Sequence, residues 1–309
     1  GKKINASIFW IKKNEIAWIE MSQICGLKDL KRKEMNPMKT STYGVGLIIN
    51  YVINKGCKKL YLGLGGSSTH DMGTGIFMAL GGGLLDINSL PISKGGGGLL
   101  ECEKINFVNL NPKIRSCKII LAVDVDNPLL GKNGAAEIYS PQKGATPKMV
   151  KDLEIGSRKF AALVEKSTKK KNINIKGGGS AGGTSAGLYG LVNAEIENGF
   201  NILEKLVGFE SYIKSSDLVI SGEGHLDNQS KHGKLINKIG ILTKKNNKPL
   251  ICISGKVSLN EKEYNSLGIS KAWASSPLNY PLQKSIENAY MLLKNKAEVA
   301  IKIYLNQKQ

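Results

Sequence analysis

The sequence predicts an α/β fold with a largely parallel sheet, divided into two domains. The chain has 309 residues, of which 41% are apolar, so it can bury a sizeable core, and its length suggests two domains. After residue 200, short apolar segments alternate with helical ones, which is typical of strand–helix units. Residues 117–123 form a nearly continuous apolar run, typical of a strand buried on both faces. The pattern is more mixed before residue 195, and we place the domain boundary between residues 198 and 199.

Periodicity and cap signals place the individual elements. The predicted strands are 4–11, 16–21, 59–63, 117–123, 173–175, 217–221, 249–254 and 272–274. The predicted helices are 42–55, 75–80, 147–167, 184–195, 233–245, 260–267 and 281–305. Ser41 or Thr42 is a candidate cap for the first helix, and Thr146 before Pro147 has the cap-then-proline order of a helix start. Residues 81–116 are rich in glycine and are expected to be irregular.

Composition excludes several classes of function. The formal charge is +19, but only three of the 44 basic residues are arginine, and bidentate phosphate and base contacts favour arginine. Basic residues do not alternate with aromatic ones either, so a lysine-rich solvated surface is preferred over a nucleic-acid interface. No stretch approaches the roughly 20 apolar residues that cross a bilayer. Five scattered cysteines without a C-x-x-C pair indicate reduced thiols in a cytoplasm and no zinc site.

Four segments share one design, in which a strand ends, glycines follow and a carboxylate or hydroxyl lies in the turn. The first is "GLGGSSTHDMG" at 63–73. Its candidate hydrogen-bond donors to an anion are Gly65, Gly66, Ser67, Ser68 and Thr69. Asp71 could take a proton or hold a metal ion, or it could simply cap the next helix.

The second segment is "AVDVDNPLLGKNGAAEIYSPQKGAT" at 122–146. Asp124 and Asp126 are two residues apart, so an extended backbone would put both carboxylates on one face. Two carboxylates so placed repel unless a cation or proton lies between them, and Mg²⁺ with nucleotide phosphates would suit them. The alternative is a turn with Asx hydrogen bonds before Pro128.

The third segment, "NINIKGGGSAGGTSAG" at 172–187, matches two short patterns. Glycines at 177, 179 and 182 fit a dinucleotide loop, although the expected acid is missing because Glu195 and Glu197 are predicted at a helix end. Ser180 fits a nucleophile elbow, with Asp217 or Asp227 and His225 or His232 as downstream partners. The alternative is close packing of strand and helix that also lines a phosphate site.

The fourth segment is "DLVISGEGHLDNQSKHGK" at 217–234. Glu223 lies between two glycines just past a strand and has little structural reason to be acidic, and Asp227 follows it. His225 and His232 are preferred as turn and helix-start residues rather than metal ligands. Lys234 could meet a phosphate or be an exposed lysine. The chain has no G-x-x-x-x-G-K-[ST] phosphate loop.

Together the four segments resemble the two-domain bacterial glycerate kinase family. The resemblance is carried by "GLGGSSTHDMG", "VDVDNPL" with "PQKGA", "GGGSAGG" and "GEGHLDNQ", in the family's order and spacing, and by "TSTYGVG" at 40–46. It implies phosphorylation of glycerate, with ATP and Mg²⁺, typically at the 2-hydroxyl. It also implies that 199–309 form a Rossmann-like domain and 1–198 a mixed α/β substrate and phosphate domain, with the active site in the cleft between them.

The resemblance also implies roles for matched positions. The expected catalytic residues are Asp124, Asp126, Glu223 and Asp227, with Asp126 as the metal ligand. The expected substrate- or nucleotide-binding residues are Gly65, Gly66, Ser67, Ser68, Asp71, Asn127, Lys143, Gly179 and Gly222. Lys143 is the candidate for the glycerate carboxylate.

The chain departs from the family's usual pattern at several positions. His70, Met72, His225 and Ser180 stand where asparagine, glycine, arginine and alanine are common in the family, which makes Ser180 a poor candidate for a nucleophile. The family's first strand and phosphate loop are expected to precede this sequence. Two alternatives therefore stay open, a hydrolase that uses Ser180 and a silent protein that binds a nucleotide or hydroxy acid without turnover.

Overall fold

The computed structural model describes residues 3–231 and 235–306, which form two compact units that divide between Gly199 and Phe200. Each unit contains a parallel sheet with helices packed on it, so the predicted α/β class is confirmed. In the part of the chain that the structure describes, no helix is long and apolar enough to cross a membrane.

The first unit is built on a sheet whose central strands are parallel. Its strands are β1 (Phe9–Ile11), β2 (Ile16–Glu20), β3 (Lys59–Gly63), β4 (Gly83–Leu85), β5 (Lys104–Asn106), β6 (Lys118–Ala122) and β7 (Glu195–Glu197). The main sheet has the order β1-β2-β3-β6-β7, parallel except for the antiparallel β1–β2 pair, and β4 and β5 form a separate antiparallel pair. The carboxyl ends of β2, β3, β6 and β7 therefore lie along one edge.

Helices surround this sheet. They are α1 (Ser22–Cys25), α2 (Tyr43–Asn54), α3 (Thr74–Ala79), α4 (Gly98–Glu101), α5 (Ala135–Tyr139), α6 (Pro147–Thr168) and α7 (Ser180–Val192). The start of α6 follows its sequence signal, because the Thr146 hydroxyl accepts a hydrogen bond from the Met149 N–H at 3.3 Å and Pro147 occupies the first turn. Thr42 precedes α2 as predicted, but its hydroxyl does not cap that helix and instead accepts from the Ile76 N–H at 3.1 Å.

The core of the first unit lies on both faces of β3 and β6. Leu60 and Leu62 of β3 and Leu121 of β6 are completely buried, and they pack in one cluster with apolar residues of β2 and α2. This explains the nearly continuous apolar run of the sixth strand, since a parallel sheet covered by helices needs apolar side chains on both faces.

The second unit carries a smaller parallel sheet. From Gly199 onward the strands are β8 (Val219–Ser221), β9 (His225–Leu226), β10 (Leu250–Ser254), β11 (Lys256–Val257) and β12 (Lys271–Ala274). The helices are α8 (Gly199–Val207), α9 (Phe209–Ser215), α10 (Leu235–Lys245), α11 (Glu261–Ser266), α12 (Leu282–Glu287) and α13 (Ala289–Asn306). The sheet order is β12-β10-β8, all parallel, and β9 pairs with β11. Leu250 and Cys252 of β10 are fully buried in its core.

Four local expectations were wrong. Residues 173–175 form a turn rather than a strand. Glu195 and Glu197 lie in β7, where pairing with β6 extends the sheet, and not at a helix end. Helices α8 and α9 were not predicted, and the single helix expected at 281–305 is divided at Asn288 between α12 and α13.

Replacing Leu62 tests the position of the core. Leu62→Ala should lower the free energy of unfolding by about 2–5 kcal/mol, because the side chain is fully buried between two neighbouring strands and its removal leaves a cavity. Urea denaturation measures this loss. The matched control is Leu90→Ala in the same unit, where a leucine 60% exposed should change stability by less than about 0.5 kcal/mol. Equal effects of the two substitutions would contradict this assignment of the core.

Candidate active site

The carboxyl edge of the first sheet collects the first three sequence segments. In open α/β sheets, ligands bind outside the carboxyl ends of the strands. The loop at 64–69 follows β3, the loop at 123–128 follows β6, and Asn198 and Gly199 follow β7. The sheet thus brings together positions up to 135 residues apart in sequence, from 64 in the first segment to 199 after β7. The third segment reaches this edge through the close packing of its glycine turn.

The loop after β3 has an open part and a buried part. Gly65 and Gly66 are exposed, and a side chain added at Gly65 would meet no atom within 4 Å. Ser67 and Ser68 are buried, and both the N–H and the hydroxyl of Ser68 donate to the Cys25 carbonyl, at 2.8 and 2.9 Å. Of the five predicted anion donors, the two glycines therefore face open space, whereas the donors of Ser68 are used inside the protein.

Asp71 holds this loop together from within. Its carboxylate is fully buried and accepts hydrogen bonds from the Thr42 N–H at 2.8 Å, the Thr42 hydroxyl at 3.0 Å and the Gly73 N–H at 3.1 Å. Ser41 and Gly75 donate to it as well. Burial raises the pKa of Asp71, and the hydrogen bonds from Thr42, Gly73 and Gly75 oppose that rise. The Asp71 side chain has no exposed surface that a ligand could reach. Its predicted contact with a ligand therefore stays a prediction, and the burial of the side chain does not favour it.

Lys143 lies directly behind the same loop. It ends a short 3₁₀ turn (Pro141–Lys143), is only 3% exposed, and its Nζ donates to the Thr69 carbonyl at 2.7 Å and to the Ser67 hydroxyl at 3.2 Å. Burial lowers the pKa of Lys143 to about 8, while Cys25 and Asp71 act in the opposite direction. The ammonium group expected to bind the glycerate carboxylate therefore contacts the loop and is shielded from solvent.

The two aspartates after β6 have separate partners. Asp124 accepts from the Asn198 amide at 2.9 Å and from the Gly199 N–H at 3.1 Å. Asp126 pairs with Lys176 at 3.2 Å, and its side chain is 79% exposed. Strand β6 ends at Ala122, before both aspartates. The expectation that the two carboxylates share one face assumed that they lie in an extended strand, and they do not lie in β6. Both aspartates are exposed.

Asn127 is fixed by the chain around it. Its amide donates to the Asn133 carbonyl at 2.9 Å, and its side-chain oxygen accepts from the Tyr139 hydroxyl at 2.6 Å. In the described ranges 3–231 and 235–306, no group of three or more His, Cys, Asp or Glu side chains is placed to hold a metal ion. A metal at this edge would accordingly depend on few protein ligands.

The glycine turn of the third segment packs against the other two. A side chain at Gly182 would lie 2.3 Å from the Thr69 carbonyl oxygen, and one at Gly179 would lie 2.4 Å from the Pro128 carbonyl oxygen. Ala181, like Gly182, has a positive φ, which lets the turn follow both loops closely. The close-packing alternative thus accounts for these glycines. With no strand at 173–175, the turn also lacks the strand that a dinucleotide loop or a nucleophile elbow requires.

Ser180 has no histidine partner among the residues that the structure describes. The Nε2 atom of His70 lies 3.1 Å from the Ser157 hydroxyl, and that of His225 lies 2.7 Å from the Ser258 hydroxyl. His232, the second histidine proposed as a base for Ser180, lies outside the described residues. Lys234, which the fourth segment offered as a phosphate ligand, also lies outside them. The geometry gives the hydrolase alternative no support.

The fourth segment forms the carboxyl edge of the second sheet. Glu223 is half-buried and accepts from the Ser230 hydroxyl at 2.6 Å. Asp227 lies 3.5 Å from the His225 ring nitrogen Nδ1. Gly222 packs closely, since a side chain there would lie 2.4 Å from the Ile253 carbonyl oxygen. Serine and histidine thus orient both acids of this segment locally.

A large concavity in the first unit was missed by the motif analysis. Its volume is about 1110 Å³, and its lining includes Cys25, Lys28, Lys39, Ser41, Ser68 and Lys94. We call it the lysine concavity. Only Ser68 belongs to a segment singled out for its chemistry. The sequence signal that could have indicated this concavity is "TSTYGVG" at 40–46, which includes four of its lining residues. The motif resembles the family, but no function was predicted for it.

Fold and site together define an α/β protein with glycine-rich ligand loops at the carboxyl ends of parallel strands. A model of the glycerate kinase family matches residues 1–305. The chain is 36% identical to a glycerate kinase of Halalkalibacterium halodurans, over 92% of this chain and 74% of that one. It is 34% identical to the glycerate 2-kinase of Escherichia coli, over 94% and 76%. A crystal structure from Salmonella typhimurium LT2 with a provisional glycerate kinase 2 assignment superimposes with a TM-score of 0.84 and 32% identity, covering 100% of this chain and 81% of that one.

The chain belongs to the glycerate kinase family, and the resemblance seen in the four segments is confirmed. It is a glycerate kinase enzyme, with a small-molecule substrate and nucleotide use that follow from the family.

The buried Lys143 should give stability a distinct pH dependence. The pKa of Lys143 falls from the ordinary 10.5 in the unfolded chain to about 8 in the folded protein. The folded protein therefore loses this proton at a lower pH than the unfolded chain does. As pH rises from about 8 to 10.5, the free-energy cost of burying the charge disappears. The free energy of unfolding of the unchanged protein should therefore rise relative to that of Lys143→Met, by about 3 kcal/mol at 1.36 kcal/mol per pKa unit. Chemical denaturation at several pH values measures this difference.

The neighbouring groups do not mimic this effect. Burial raises the pKa of the Cys25 thiol from 9.0 to about 12, so this thiol lowers stability as pH rises through the window, which is opposite to the expected rise, and it is present in both proteins. Burial together with Lys143 lowers the pKa of His70 to about 3, so His70 titrates below the window. Asp71 is present in both proteins. Lys104→Met, which removes an exposed lysine of β5, serves as the control and should show no such slope. A constant difference between the unchanged protein and Lys143→Met from pH 8 to 10.5 would rule out the buried ammonium.

Proposed function

We propose that this glycerate kinase transfers the γ-phosphoryl group of ATP to the 2-hydroxyl of glycerate, with Mg²⁺. The observation that carries the proposal is the packing of the first three segments at one carboxyl edge, with the glycine turn at 177–183 against the loops after β3 and β6. The choice of hydroxyl is supported by the relative from Escherichia coli, which is named a glycerate 2-kinase.

Phosphoryl transfer requires positioning and charge neutralisation more than covalent chemistry by the protein. We assign the exposed Gly65 and Gly66 N–H groups to an anionic ligand, with Ser67 and Ser68 shaping the loop beneath them. Lys143 supports this loop through its bonds to Ser67 and Thr69 and adds positive potential from behind it.

Asp126 is the proposed ligand of Mg²⁺. Its carboxylate is mostly exposed and pairs with Lys176, which fits an ion held chiefly by water and phosphate oxygens with one or two carboxylates. Bound Mg²⁺ would neutralise phosphate charge. Asp124 is tied to the chain after β7, so we assign it to orienting this edge or the substrate hydroxyl, with Asn127 and Gly179 holding the loop beside it.

Glu223, Asp227 and Gly222 are the proposed ligand contacts of the second unit. They lie at the carboxyl end of its parallel sheet, where α/β proteins bind ligands. We keep the proposal that residues 1–198 form a substrate and phosphate domain and 199–309 a Rossmann-like one. The free cysteines support a cytoplasmic location as part of the same proposal.

Phosphorus NMR tests the reaction directly. Incubation of the protein with ATP, Mg²⁺ and glycerate should produce a phosphomonoester resonance that matches 2-phosphoglycerate. A resonance of 3-phosphoglycerate would overturn the choice of hydroxyl. Intact ATP would overturn the proposed turnover, and retained binding of glycerate and nucleotide would then favour the silent binding protein.

Substitution of Asp126 and Glu223 tests their proposed roles. Asp126→Asn and Glu223→Gln should each lower kcat on the order of 100-fold, since each removes a charge from its proposed site while keeping the shape of the side chain. Steady-state kinetics measures the loss. Asp86→Asn and Glu298→Gln are the controls, because Asp86 uses a single oxygen in an exposed turn and Glu298 lies exposed on α13. Unchanged kcat in Asp126→Asn or Glu223→Gln would remove that acid from the site.

A further inference from the structure

The lysine concavity lies beside the loop that follows β3. Ser68 and Cys25 both line it, and the Ser68 N–H donates to the Cys25 carbonyl at 2.8 Å, so its wall is continuous with the loop to which the proposed function assigns an anion. The other lining segments are residues 3–5, the chain after β2, residues 39–47 around the start of α2, and Lys94. The concavity thus occupies the ligand-binding edge of the first sheet.

The lining carries an excess of positive charge. Four lysines line the concavity, at positions 3, 28, 39 and 94, against the two carboxylates of Asp29 and Glu34. In the described part of the chain, neither Lys28 nor Lys39 forms a hydrogen bond or ion pair with another side chain. The Lys94 ammonium lies over the Tyr43 ring, 3.5 Å from its centre. A cation–π contact leaves the charge of a lysine uncompensated.

Hydrogen bonds fix the polar part of the concavity lining. Ser41 accepts from the Tyr43 N–H at 3.2 Å and donates to the buried Asp71 at 3.3 Å, and the Thr40 hydroxyl donates to the Ser68 carbonyl at 2.7 Å. The 12-residue helix α2 begins at Tyr43, so its positive end adds to the potential of the lysines. The hydroxyls of Ser41 and Thr40 already donate inside the protein, so they shape the lining. The helix start and the lysine ammonium groups supply the chemistry that recognises anionic oxygens.

We infer that the lysine concavity binds an anionic oxygen group, either the carboxylate of the hydroxy acid or a phosphate of the nucleotide, with Lys39 and Lys94 as its principal charges. These two ligands are the candidates because the inference rests on the proposed function, in which glycerate and ATP are the substrates. The site itself stands on the geometry of the concavity, and none of its lysines belongs to the four motif segments.

Direct binding separates the inference from the reaction. Isothermal titration with glycerate alone and with ATP alone measures affinity whether or not the protein turns over. The double variant Lys39→Gln/Lys94→Gln should weaken the binding of one of these anions at least about fivefold, since it removes two charge-assisted contacts. Raising the ionic strength should reduce the affinity of the unchanged protein in the same direction, because exposed ammonium groups are screened by salt.

Lys104→Gln, an exposed lysine on β5, is the matched control and should leave both affinities unchanged. Weaker glycerate binding by the double variant identifies the carboxylate as the ligand, and weaker ATP binding identifies the phosphate. Equal affinities of the double variant and the unchanged protein for both anions would overturn the inference. Failure of the unchanged protein to form phosphoglycerate while these affinity losses persist would overturn the proposed reaction and leave the anion site standing.

Discussion

The buried carboxylate of Asp71 is the interaction on which the first unit's ligand edge depends. It accepts hydrogen bonds from Ser41, Thr42 and the N–H groups that begin α3, and so it joins two helix starts to the loop after β3. A buried charge is costly unless it is well hydrogen-bonded. Here several donors offset part of the cost, and a single side chain joins Ser41, which lines the lysine concavity, to the start of α3.

Close approach of backbones is the second constraint. The left-handed turn that includes Gly182 lies against the Thr69 carbonyl, and Gly179 lies against the Pro128 carbonyl, at distances that leave no room for a Cβ. The loops after β3 and β6 therefore share a common support in α7, far from both in sequence. The short dinucleotide-loop and nucleophile-elbow patterns were misleading for the same reason. Glycines that are needed only for close packing give the same sequence pattern as glycines of a ligand loop.

Charge is distributed unevenly around this edge. Lys143 lies under the loop and donates to backbone and hydroxyl oxygens, whereas Lys39 and Lys94 lie at the open side. An interior ammonium orders the loop and adds potential to it, and exterior ammonium groups are free to meet a ligand. The net charge of +19 is thus compatible with an enzyme of small anionic substrates.

The sequence by itself determined the α/β class, the third strand at 59–63 and the start of α6, because apolar periodicity and the Thr146–Pro147 cap are local signals. The first, second and fourth motifs follow strands as the sequence predicts, because an apolar run that ends in glycines and acids is a local signal. Only the tertiary structure decided that Asp71 and Lys143 are buried and that Glu195–Glu197 form a strand. Burial and strand pairing depend on residues distant in sequence, such as Thr42, Thr69 and the edge of β6, and no local pattern can specify those contacts.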